Sequence, residues 1–215
     1  MPEVQKHGFT WQNDLLMNVY GATQDELNSL AYTEENDLPG SLNKQDPGIN
    51  LSIKTSCSKN TVCMADCLRL YDLVKSGRPI HMTVIYYKQD DTKKKILSIT
   101  EVDLTNSVEL LFGSVTREQI LELDAVVKSV PQKRNPTLEE RHQMYSIRNS
   151  LSLLSKAIHF DIKCNSQQSR LQCSFNSFQQ FLKENPERII AQSTSAEFRG
   201  KTITAEIVSS RRVFR

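Results

Sequence analysis

Apolar and polar residues alternate from Ile49 to Lys54, so Ile49, Leu51 and Ile53 share one face of a strand and Asn50, Ser52 and Lys54 the other. Residues 80–88 (IHMTVIYYK) follow a different pattern, β-branched and aromatic with hardly a polar break, which predicts a central, buried strand. After the charged turn Gln89 to Lys94, a second strand returns from Lys95 to Leu104, making a hairpin with a charged tip. Helical spacing governs most of the remainder. Residues 9–20 (FTWQNDLLMNVY) place Phe9, Leu16, Val19 and Tyr20 toward a core and stop at Gly21. A short polar helix is expected over Gln24 to Leu30, and Val62 to Val74 sets Cys63, Cys67, Leu70 and Val74 on one stripe. From Thr116, where Gln119 completes a capping box, Ile120, Leu123 and Val127 form the next stripe, closed by Pro131. The longest stripe, Met144, Ile147, Leu151, Leu154 and Ile158, predicts a helix from Leu138 to Ile158.

Toward the C-terminus, Ile158 to Cys164 and Arg170 to Phe175 read as strands around the polar turn Asn165 to Ser169. Arg reads guanine and Asn or Gln reads adenine by paired hydrogen bonds, so this tip has base-reading side chains; a plain polar turn has the same composition. Ser177 and Gln180 cap a short helix through Leu182, and a strand from Thr202 to Val208 leads into a basic tail. Between Asp37 and Ile49, Pro39-Gly40 and Pro47-Gly48 are strong turn signals. There is no internal repeat.

A length of 215 residues, 38% hydrophobic and 24% charged, suits a single domain over residues 1–215. No apolar run reaches the ~18 residues of a spanning helix, and MPEVQKHGFTW lacks a secretory core, so the expected location is cytoplasmic, away from membranes. Five irregularly spaced cysteines imply reduced thiols, and Cys63-x3-Cys67 lacks the second pair that a zinc site needs. No phosphate-binding glycine loop and no serine-nucleophile elbow is present, which removes P-loop enzymes and α/β-hydrolases. His81, at the start of the buried strand, fits a structural histidine better than a base. Net charge is +2, but it is unevenly spread. Residues 1–60 hold eight acids against four Lys/Arg, and residues 156–215 hold ten Lys/Arg against five acids. An acidic end gathers metal and a basic end meets phosphate.

The Asn36–Ser56 stretch joins these observations: Asp37, a turn-rich connection, then Ser52-Ile53-Lys54 on a strand. Asp46 is a rival acid, but it sits only six residues before Ser52, whereas Asp37 leaves room for a connection that folds back. In this the chain resembles the PD-(D/E)xK nucleases, whose type II restriction endonucleases carry an Asp, a hairpin and then (Asp/Glu)-x-Lys. Ser52 stands where that family usually has its second carboxylate. The resemblance implies an α/β fold with a mixed central sheet and helices on both faces, and an opening helix that presents an acid near the site, where this chain offers Gln12, Asn13 and Asp14. It implies cleavage of double-stranded DNA with Mg²⁺, or Mn²⁺, held by Asp37, Ser52 and the carbonyl of Ile53. Lys54 then activates water or steadies developing charge. Lys59 and Asn60 after the strand, and Gln168 and Arg170 on the hairpin, are the expected DNA contacts. The long helical stripe is core, or the face of a homodimer. The implied setting is restriction of foreign DNA, in a bacterium or in a virus that degrades its host's genome. A homing or DNA-repair nuclease and a DNA-binding protein that has lost cleavage are the alternatives.

Overall fold

The computed structural model describes residues 3–30, 36–57, 61–165 and 167–213. The protein is mixed α/β, and its chain divides into two compact units: Met1–Lys59, Arg78–Thr105 and Leu182–Arg215 make one, Asn60–Gly77 and Asn106–Phe181 the other.

In the first unit, β1 (Asn50–Ser56) forms where alternation predicts it, with Leu51 and Ile53 buried and Asn50, Ser52 and Lys54 partly exposed. It runs parallel to the first arm of β3 (Ile80–Asp103), from Asn50 opposite Ile80 to Ser56 opposite Tyr86. A straight strand of that length would extend about 80 Å, yet the Leu104 amide donates to the Ile80 carbonyl at 2.9 Å. The segment therefore doubles back near Asp91, whose φ is 52°, as the expected charged hairpin. Its second arm pairs antiparallel with β6 (Ile189–Ser193) and, nearer the tip, with β9 (Ile207–Val213). Strand neighbours on both sides explain why Ile80–Tyr86 is buried throughout.

One face of this mixed sheet carries α1 (Glu3–Asn18), whose Trp11, Leu15, Leu16 and the following Tyr20 join Leu51, Ile53 and Ile85 in one core cluster. The stripe is spaced 11-15-19, which turns Phe9 outward at 41% exposure and puts Trp11 in the place expected for it. α2 (Gln24–Ser29) follows, with Thr23 and Glu26 forming a capping box. A small ribbon of β7 (Glu197–Phe198) and β8 (Lys201–Thr202) turns at Gly200. The C-terminal strand begins at Ile207 instead of Thr202.

In the second unit, β2 (Cys63–Asp66), β5 (Gln168–Phe175) and β4 (Ile158–Asn165) form an antiparallel sheet in that order. The predicted helix from Val62 starts five residues later as α3 (Cys67–Lys75), because Asp66 caps it by accepting the Leu68 and Arg69 amides at 3.1 and 3.2 Å. Cys63 is thus exposed on a strand. Cys67 is buried and paired with Cys173 as a disulfide, which corrects the expectation of reduced thiols. The β2–β5 register sets Ala65 opposite Cys173, so the start of α3 lies beside it. α4 (Val108–Phe112) and α5 (Arg117–Ser129) follow, with the Thr116–Gln119 capping box in place. α6 (Leu138–Leu154) ends before its predicted stripe does: Ser155 caps it, Leu153 is 88% exposed, and Ile158 opens β4. α7 (Phe178–Glu184) closes this part of the chain. Among the described residues, no helix is long and apolar enough to cross a membrane.

Candidate functional site

The site is built on the outer edge of β1. Alternate residues of an edge strand turn their backbone polar groups away from the sheet. Leu51 does so toward the incoming loop: it accepts from the Asp37 and Leu38 amides at 2.9 and 3.2 Å and donates to the Leu38 carbonyl at 2.9 Å. That bridge lays Asp37 alongside the strand. Two residues on, the Ile53 amide also faces the edge and donates to Asp37 Oδ2 at 2.6 Å. The Ser52 hydroxyl donates to the same oxygen at 3.3 Å, and Lys54 Nζ lies 3.4 Å from it. Asp37 Oδ1 accepts from Gln12 Nε2 of α1 at 3.3 Å.

Residues fifteen to seventeen positions apart meet because the connection is folded tightly on itself. The Gly48 amide donates to the Gly40 carbonyl at 3.0 Å, the Gly40 amide to Asn50 Oδ1 at 3.0 Å, and Asn43 Nδ2 to the Ile49 carbonyl at 2.9 Å. A Cβ on Gly40 would stand 2.5 Å from the Gly48 carbonyl carbon, so this close approach requires glycine. Asp37 and Lys54 keep 25% and 22% of their side chains exposed, enough for a ligand to reach them.

The donor set at this edge is one carboxylate, one hydroxyl and the Ile53 carbonyl, which points outward with its own amide. All are hard oxygens, the kind that Mg²⁺ and Mn²⁺ take. Asp37 and Lys54 cancel in charge, so a cation held here would have to draw most of its ligands from water or from a bound anion.

Asp46, the rival acid, belongs to another cluster. His81 and Thr83 lie in register with Leu51 and Ile53 and share their face of the sheet, opposite to that of Ser52 and Lys54. There His81 Nδ1 is 2.8 Å from Glu101 Oε1, Arg199 Nε donates to Glu101 Oε2 at 2.8 Å, and Arg199 Nη2 is 3.0 Å from Asp46 Oδ2. Burial pushes the Glu101 carboxyl up, but the His81 hydrogen bond and the Arg199 guanidinium outweigh it and hold the group below the usual carboxylate range. Burial, with the Glu101 charge, pushes the Tyr20 phenol far up; its hydroxyl pairs with Thr83 at 2.9 Å.

No family model, curated protein or solved structure matches this chain. The site is therefore read from its own residues.

Of the expected site residues, Asp37, Ser52, Ile53 and Lys54 come together. Gln168 and Arg170 lie on β5 in the second unit, Arg170 exposed and directly opposite Lys163. Asn165 is committed to the turn, its Oδ1 accepting the Gln167 and Gln168 amides at 2.9 and 3.2 Å. Lys59 and Asn60 lie outside the described residues. On α1, the acid Asp14 is turned to the C-terminal segment, where Oδ2 accepts the Thr204 and Ala205 amides, each at 2.8 Å. Gln12 is the helix residue that reaches Asp37. Glu101 and Arg199 escape sequence reasoning, although a carboxylate between Ile99 and Val102 on a strand that returns beside a buried one is itself a signal.

Proposed function

We propose that the protein is a metal-dependent nuclease of restriction-endonuclease-like fold that hydrolyses phosphodiester bonds in double-stranded DNA. The observation that carries this reading is the convergence of Asp37, Ser52, the Ile53 backbone and Lys54 at one half-exposed edge, within 3.4 Å of one carboxylate oxygen. Bound Mg²⁺ or Mn²⁺ would supply Lewis acidity toward a phosphoryl oxygen and lower the pKa of water. Asp37 would anchor the ion, with Ser52 and the Ile53 carbonyl as further oxygen donors. The Ile53 amide fixes the orientation of the Asp37 carboxylate. Lys54 offers a fixed positive charge where negative charge develops on the attacked phosphate, or orients the attacking water. On the other unit, Lys163 and Arg170 stand side by side, a like-charge pair that a phosphate would relieve.

A second reading is favoured by one feature: Asp37 is the sole carboxylate in contact with Ser52 and Lys54 among the described residues. A site with one acid suits a protein that binds DNA without cutting it. Incubation with supercoiled plasmid separates the two readings. Nicking or linearisation with Mg²⁺ or Mn²⁺, abolished by EDTA, supports the nuclease; retarded migration of intact plasmid under both conditions supports the binding protein. Discrete fragments indicate a restriction or homing enzyme, and a smear indicates a less selective repair-type nuclease.

A further inference from the structure

On the α1 side of the first unit's sheet, we propose a second metal site, made by Asp46, His81 and Glu101 and taking a transition metal such as Zn²⁺. One ligand atom from each of these residues lies within 4.8 Å of the other two. His81 and Glu101 face each other across the β3 hairpin, which fixes them in place; Glu101 is fully buried and His81 nearly so. The imidazole decides the class of ion. Zn²⁺ and its neighbours accept mixed nitrogen and carboxylate ligands, while Mg²⁺ and Ca²⁺ want oxygen throughout.

Arg199 has a defined part in this arrangement: its Nε donates to Glu101 Oε2 and its Nη2 lies 3.0 Å from Asp46 Oδ2, while the other Glu101 oxygen, Oε1, faces His81 Nδ1 at 2.8 Å, so that an ion would enter between His81 and Glu101 in place of that hydrogen bond. Two carboxylates against one guanidinium leave a net negative charge before histidine is counted, and the Arg199 hydrogen bond to Glu101 is of the kind that orients a carboxylate ligand in a metal site. Asp46 Oδ2 is enclosed with no donor aligned on it as a hydrogen bond, the Arg199 contact being an ion pair alone. The ligands of a tetrahedral zinc are about 3.3 Å apart. Asp46 has to close the remaining gap, and its side chain, 28% exposed on a loop, has room to do so. An ion here would tie the loop carrying Asp37 and Asp46 to the β3 hairpin. The site's occupancy does not depend on the nuclease reading.

The test is calorimetric titration of the metal-free full chain with Zn²⁺, together with Co²⁺ absorption. The expected result is one equivalent of Zn²⁺, a raised melting temperature, and a Co²⁺ spectrum without thiolate charge-transfer bands. His81→Gln and Asp46→Asn should each weaken Zn²⁺ binding at least tenfold while circular dichroism stays unchanged. Asp37→Asn should leave it unaltered, which separates this site from the one at the sheet edge. Absence of Zn²⁺ binding in the wild type overturns the proposal. So does unchanged affinity in both His81→Gln and Asp46→Asn, a thiolate band that assigns the ion to the free cysteines, or loss of binding in Asp37→Asn.

Discussion

Asp37 carries four interactions on two oxygens, and its replacement by alanine removes the sole carboxylate that Ser52 and Lys54 touch among the described residues. Asp37→Ala and Lys54→Ala are each expected to lower Mg²⁺-dependent cleavage by at least about a hundredfold, the scale of a lost electrostatic partner in a transition state. Both side chains are partly exposed, so circular dichroism should report an intact fold. Ser52 sets the charge. With serine the site is one negative charge poorer than a two-acid site, and Ser52→Glu should keep or raise affinity for Mg²⁺ and Mn²⁺ in calorimetric titration; a fall would show that the strand position does not face the ion. Elsewhere, Glu140 is held at about 2 by the Arg134 hydrogen bond and the Thr137 amide at the start of α6. A carboxyl lowered on folding stabilises the fold above its unfolded value, about 4.3, and loses that contribution as pH falls through the folded value. The stability difference between wild type and Glu140→Gln should therefore be present at pH 7 and fade between about pH 4 and pH 2 in urea melts.

Among the elements, α1 is held from its buried side by Trp11, whose Nε1 donates to the Ala205 carbonyl at 2.9 Å, and by Asp14, which accepts the Thr204 and Ala205 amides of the same segment. Asp14→Ala leaves those amides without an acceptor and should cost about 1–3 kcal/mol in chemical denaturation. The β4–β5 hairpin allows a different test: Arg170→Ala is expected to reduce discrimination among duplexes by about 1–3 kcal/mol if Arg170 reads a base, and a uniform loss over all sequences would make it a phosphate contact. These elements also mark how far the sequence could be read. The capping box at Thr116 and the alternation of β1 depend on neighbouring residues, and they stand where the pattern places them. The Asp37–Lys54 pairing was legible because two Pro-Gly turns fold a short connection. Features that depend on distant residues were not. The Cys67–Cys173 contact spans 106 positions, the Arg199–Glu101 pair spans 98, and the outward turn of Phe9 follows from what packs on Trp11.

At the scale of the whole molecule, the proposed reading assigns the ion to Asp37, in the acidic first sixty residues, and phosphate to Lys163 and Arg170, in the basic last sixty. Binding to duplex DNA should consequently weaken steeply with salt, and the slope for Arg170→Ala should be shallower by about one if that residue neutralises a phosphate. Cleavage is the central claim. Its most direct measurement is the rate of supercoiled plasmid loss with Mg²⁺, taken side by side for the wild type and Asp37→Ala. The account predicts metal-dependent cutting by the wild type, stopped by EDTA and absent from Asp37→Ala. An intact plasmid with the wild type, under Mg²⁺ and Mn²⁺ alike, or equal cutting by both proteins, would contradict it.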